Sequence, residues 1–148
     1  MPSFIVLAVL LLTTTARADA GLVEVASSHD VKETVARLEG ALARANVTVA
    51  ARIDHAAAAA KVGEQLPPTV LLVFGNPKLG TPLMRCAPSA GIDLPLKALV
   101  RDDGKGRVTL TYSDPAWIAA RHGAKGCDEV VKKMASALRS FAEAATAP

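Results

Sequence analysis

The apolar run Val70-Leu71-Leu72-Val73-Phe74, broken at once by Gly75, Pro77, Gly80 and Pro82, restricts this chain more than any other stretch. A short apolar run bounded by Gly and Pro suits a strand buried on both faces. Loops that follow a rigid interior strand are where folds place their sites. Asn76 to Met84 is therefore the first place to look for chemistry. The rest of the chain has to supply a sheet around that strand and helices to cover it. Aromatic residues make up only 3% of the chain against an apolar fraction of 51%, so the core is expected to be Val, Leu, Ile and Ala. A length of 148 residues fits one domain. The formal charge of +3 is scattered along the chain, which gives little electrostatic support for nucleic-acid binding.

The flanking segments read in order. Residues 21–27 alternate as a first strand. Asp30 is placed to cap a helix, with Glu33 as its reciprocal partner. Val31, Val35, Leu38 and Leu42 then form one apolar stripe over residues 30–45, and Asn46 stands where a left-handed stop belongs. Val47, Val49, Ala51 and Ile53 alternate with polar or small residues as a strand with one buried face. Asp54 caps a short Ala-rich helix, His55 to Val62, ended by Gly63. After the Gly/Pro loop, Leu79 to Arg85 makes one or two helical turns. Residues 94–101 and 108–112 are strands around the turn Asp102-Asp103-Gly104-Lys105-Gly106. Pro115 starts a short helix to Arg121. A last helix, 128–144, carries Val130, Met134, Leu138 and Phe141 as its stripe. The order is strand, helix, four strands, helix: an α+β layer with helices on one face of an antiparallel sheet.

Phe4 to Leu12 is an apolar segment of signal-peptide length, too short to span a bilayer. Ala16-Arg17-Ala18 follows as a small-x-small site, so residues 1–18 read as a signal peptide and 19–148 as a single α+β domain. Ala18-Asp19-Ala20 is a second cleavage option. Met1-Pro2-Ser3 carries no Lys or Arg, and a retained anchor is the rival reading. Cleavage after Ala18 removes Arg17 and no acid, so the formal charge falls from +3 to +2. The expected location is periplasmic or secreted, with no stable membrane insertion once the leader is gone. In an oxidising compartment an even cysteine count favours a disulfide, here Cys86–Cys127, over two buried free thiols.

Four motifs then occur in a fixed order: Ile53-Asp54-His55; Phe74-Gly75-Asn76-Pro77-Lys78-Leu79-Gly80-Thr81-Pro82-Leu83-Met84; Asp93-Leu94-Pro95-Leu96-Lys97; and Tyr112-Ser113-Asp114-Pro115 with Ala120-Arg121-His122-Gly123. Together they resemble the domain of unknown function 302 family over residues 21 to 144. The resemblance implies a β-α-β4-α arrangement of the TATA-box-binding-protein-like kind and, frequently, a homodimer. It implies no established reaction, and no cofactor is expected from the residues. This chain departs from the family pattern at Asn46, where Gly is usual, and at Cys86 and Cys127.

Candidate chemistry gathers near the central loop. His55 opens a helix at a strand end, where it could be a ligand, a proton carrier or a backbone-bonded helix-start residue. Gly75 to Thr81 has glycines at phosphate-loop separation, but Thr81 and Pro82 stand where a phosphate-binding lysine is needed, which excludes a nucleotide triphosphatase of that type. Backbone amides there, with Lys78 and Thr81, could still hold a small anion. Met84 and Cys86 with His55, His122 or His29 could suit copper, but no two have recognised ligand spacing, and no metal site is assigned. Asp93 and Asp114 could be general bases, but each stands where a cap or turn residue belongs, and that reading is put first. No local Ser/His/Asp or Cys/His signature is present. Trp117 and Tyr112 read as anchors of packing or of a subunit contact.

The reading is a dimeric binding or interaction module without turnover of its own. Its small-molecule or anion pocket is expected between the Asp54-His55 corner and the Asn76–Met84 loop, lined by His55, Asn76, Lys78, Thr81, Met84 and Asp93. The alternatives are an enzyme on a small anionic or sulfur-containing substrate with His55 as acid/base, and a copper- or redox-handling protein.

Overall fold

Local capping chemistry sets most of the element boundaries. The computed structural model describes residues 21–148, so the leader segment expected at 1–18 lies outside the described residues. β1 (Leu22–Ser27) leads to Asp30, whose carboxylate accepts from Glu33 N–H at 2.7 Å and starts α1 (Val31–Arg44). Glu33 does not return the bond as a capping box would. Its carboxylate accepts instead from Arg37 Nε at 2.8 Å, one turn on along the exposed face. At the other end Asn46 adopts φ 54°, and Val47 N–H reaches Leu42 C=O while Asn46 N–H reaches Ala43 C=O, a Schellman stop.

β2 (Thr48–Asp54) departs from simple alternation. Its register against β3 (Thr69–Gly75) slips between Val49 and Ala51, so Val49 shares a face with Phe74 while Ala51 and Ile53 share the opposite face with Val73 and Leu71. Arg52 then falls on the helix-covered face and reaches Glu39 of α1 at 3.6 Å. Asp54 caps α2 (His55–Ala60), shorter than expected and with no buried residue. α3 (Pro77–Cys86) begins two residues earlier than expected, because Asn76 accepts from Lys78 N–H at 2.9 Å and Pro77 takes the first helical position. A 3₁₀ turn, Pro88–Ile92, leads to β4 (Leu96–Asp102), which starts only after Pro95, a residue with no N–H to give a ladder. β5 (Val108–Ser113), α4 (Pro115–Arg121) and α5 (Asp128–Thr146) complete the chain.

The five strands form one antiparallel sheet in the order β1-β5-β4-β3-β2. α1 and α5 cover one face, where Val35, Leu38, Leu42, Leu72, Phe74, Val100, Leu110 and Leu138 make the main core. A second cluster of Leu83, Ile118, Cys127 and Met134 joins α3, α4 and α5. β3 is interior but not central, and it is not buried on both faces. Val70, Leu72 and Phe74 are buried, while Leu71 and Val73 are only half-buried on the helix-free face. A single layer of helices cannot cover both sides, so the unbroken apolar run reports an interior strand and not a doubly covered one.

Candidate functional site

β3 ends at Gly75, and the next residues turn up beside the sheet as α3. This leaves a gap between the sheet end, α3 and the underside of α5. The gap is a cavity of about 520 Å³. Its floor is Phe74, with Val47, Thr48 and Ala50 from the edge strand β2 and its approach. Leu79, Gly80, Thr81 and Met84 of α3 form one wall. Gly91, Leu94, Pro95 and Leu96 form a second, and Met134, Ala137, Leu138 and Phe141 of α5 form the roof. Phe141 meets Phe74 edge-on, with ring centroids 6.4 Å apart. Among the described residues no charged side chain lines the cavity. Its polar side chains are Thr48, Asn76 and Thr81. The Asn76 carboxamide oxygen is used as the α3 cap, and its nitrogen is a donor not used by that bond. A cavity of this size, mostly apolar with a few polar groups, matches small-molecule sites, which span roughly 300–1,000 Å³.

Of the six residues expected around one hollow, Asn76, Thr81 and Met84 are brought together. His55 is not. β2 and β3 are antiparallel, with Asp54 opposite Val70 and Thr48 opposite Gly75. The Asp54-His55 corner therefore sits at the start of β3, and the Asn76 loop at its end. Five residues of strand separate them, about 16 Å. Lys78 is exposed in the first turn of α3 and is not part of the cavity lining. Asp93 also points elsewhere: its carboxylate accepts from Arg121 Nη1 at 3.0 Å and pairs with His122 Nε2 at 2.5 Å. Neither Lys78 nor His55 therefore contributes a side chain to this cavity.

The copper arrangement is not assembled. Met84 faces the cavity, His55 lies at the far end of the sheet, and Cys86 is bonded to Cys127 with their Cα atoms 6.3 Å apart, so it offers no thiolate. Among the described residues no three of His, Cys, Asp or Glu cluster as metal ligands. Asp114 is a cap, accepting from Ala116 N–H at 2.9 Å. Trp117 packs in the second core cluster with Arg121 over its ring, and Tyr112 packs in the main core.

Sequence reasoning did not find the roof of the cavity. Met134, Leu138 and Phe141 are marked by the sequence only as a stripe that packs, and Ala137 is outside that stripe. Nor did it find the group Ser89–His122–Asp93, in which Ser89 Oγ lies 2.8 Å from His122 Nδ1. Ser89 and Asp93 come from the 3₁₀ turn and its cap, and His122 from the end of α4, 29 residues after Asp93, so no local spacing announces the group.

The comparisons with known proteins fit this architecture. The family profile described as Domain of unknown function DUF302 matches residues 23–141. The crystal structure of a conserved DUF302 protein from Bacillus stearothermophilus superposes with a TM-score of 0.77 at 19% identity, covering 85% of this chain and 98% of that one, which shows the shared fold. The chain is also 48% identical over 104 residues, 70% of its length, to proteins named Fluoride-specific ion channel FluC 1 from Brucella suis and Brucella abortus. It spans only 41% and 38% of those proteins. Among the described residues no helix is long and apolar enough to cross a membrane. From the profile match and the shared fold, this chain belongs to the Domain of unknown function DUF302 family.

Proposed function

We propose that this chain is an exported binding domain that takes an apolar small molecule into the cavity at the end of the sheet and works as a homodimer. The observation that carries the reading is the cavity itself, an uncharged space of about 520 Å³ roofed by α5. Apolar contact provides most of the binding there, and Asn76, Thr48 and Thr81 can address one polar end of the ligand. An apolar ligand fits this lining better than an anion, since Lys78 is outside it. The Cys86–Cys127 disulfide supports export, because such bonds persist in oxidising compartments. The dimer is supported by the helix-free face, where Ile53, Leu71 and Leu99 form a row of apolar side chains across three strands. Ile53 is 41% exposed there. The channel activity of the Brucella proteins is not part of the proposal, since the matched segment is less than half of their length.

Native mass spectrometry of protein purified from an exporting host tests the reading. The expected spectrum holds a two-chain species with a retained, organic-extractable molecule and a chain shortened at its leader. A full-length monomer that carries nothing extractable contradicts it.

A further inference from the structure

Outside the cavity, three side chains form a relay. The exposed Ser89 hydroxyl lies 2.8 Å from His122 Nδ1, and His122 Nε2 lies 2.5 Å from Asp93 Oδ2. The imidazole side chain is only 8% exposed, and the Asp93 carboxyl is 21% exposed. Arg121 Nη1 holds both oxygens of that carboxyl, at 3.0 and 3.2 Å. The order is therefore an accessible hydroxyl, an enclosed imidazole and a carboxylate that a guanidinium also holds. A carboxylate only accepts, so its partner Nε2 carries the proton and Nδ1 is left to accept from the serine. A serine bonded to a base that is itself oriented by a third group has the geometry of an activated nucleophile, whichever ring nitrogen faces it.

The covalent framework stiffens these same two segments. Ser89 and Asp93 lie just after Cys86, and Arg121 and His122 lie just before Cys127. The disulfide joins those cysteines, so the two halves of the relay are stitched together at their base. Ser89 and Ile92 sit three residues apart on the 3₁₀ turn, a spacing that puts side chains on one face. Ile92 is 76% exposed, which gives the serine an apolar neighbour in solvent. Neither the three relay residues nor Arg121 lines the cavity.

We infer that Ser89, His122 and Asp93 form a second functional site, an acyl-transfer centre that hydrolyses small esters. Ser89 Oγ attacks the ester carbonyl carbon while its proton passes to His122 Nδ1. The carbonyl–alkoxy bond breaks, and the leaving alcohol takes that proton, which leaves acyl-Ser89. Water then gives its proton to His122 and its oxygen to the acyl carbon. The bond to Ser89 breaks, the proton returns to Oγ, and a carboxylic acid leaves. Ser89 is the nucleophile and His122 the base. Asp93 and Arg121 are positioning residues.

The test uses the intact disulfide-bonded chain with p-nitrophenyl acetate. The expected result is protein-dependent release of nitrophenolate and, on acid quenching, an acetyl group on the peptide that contains Ser89. Ser89→Ala abolishes both. His122→Gln lowers the acylation rate by about 10²-fold or more, the usual contribution of a positioned base. Asp93→Ala loses most of the rate, and Asp93→Glu recovers part of it. Each variant is checked for an unchanged circular dichroism spectrum and Trp117 emission, and Ser89 is a surface residue whose truncation leaves the core intact. His55→Ala, at the opposite end of the sheet from both the relay and the cavity, leaves acylation unchanged. Acetyl found only on lysines or the amino terminus, or full activity in folded Ser89→Ala, overturns the inference.

Discussion

Asn76 shows how one side chain can serve structure and site together. Its oxygen stops the backbone amide of Lys78 from going unpaired at the start of α3, and the same residue lines the cavity. The cap residues were legible because capping is local: Asp30, Asp54, Asp114 and Asn46 do what their neighbours in sequence require of them. His55 was not legible, since its role depends on where the sheet carries it. Tyr112 gives a residue-scale prediction. It is the chain's only tyrosine, and burial, with the nearby Asp114 and Glu143 adding to it against Arg139, pushes its hydroxyl above the ordinary value of 10.0. A raised folded value means that the neutral hydroxyl's stabilisation is complete below the unfolded value and is lost as pH rises through the folded one. Absorbance at the phenolate band should therefore titrate above pH 10 in native protein and return to the free value in guanidinium. A native midpoint equal to the denatured one contradicts this.

At the scale of elements, the sheet itself and its helices were readable from alternation and helical stripes. The pairing geometry was not. An antiparallel neighbour places the exit of one strand beside the entry of the next, so the corner after β2 cannot meet the loop after β3. The slip between Val49 and Ala51 likewise turns Arg52 toward α1, and no residue type in β2 announces it. The link that most constrains the site is the disulfide from the end of α3 to the residue before α5. It closes a sequence separation of 41 residues and is worth on the order of 4 kcal/mol by chain entropy. Reduction should lower the guanidinium midpoint, followed by Trp117 emission, by the equivalent of about 2–4 kcal/mol. It should expose two thiols to titration. An unchanged midpoint after both thiols titrate contradicts that role.

At the scale of the molecule, the sheet divides the protein into a helix-covered side and an open side. The covered side ends in the cavity, and the open side carries the apolar row of Ile53, Leu71 and Leu99. If a second copy covers that row, Leu71→Lys in its middle converts a two-chain mass in light scattering to a one-chain mass while the helices remain. A one-chain mass for the unsubstituted protein contradicts the dimer. The fold followed from residue patterns because each element declares its own period. The cavity did not, because it is the space left between three elements, and its roof residues look like ordinary core. The central claim is that this space binds an apolar molecule, and titration with the neutral fluorophore N-phenyl-1-naphthylamine tests it most directly. Saturable binding should occur at one site per chain, weakened by about tenfold or more in Ala137→Phe, which fills the space, and unchanged in His55→Ala. Binding that survives Ala137→Phe, or that is lost in His55→Ala, contradicts the account.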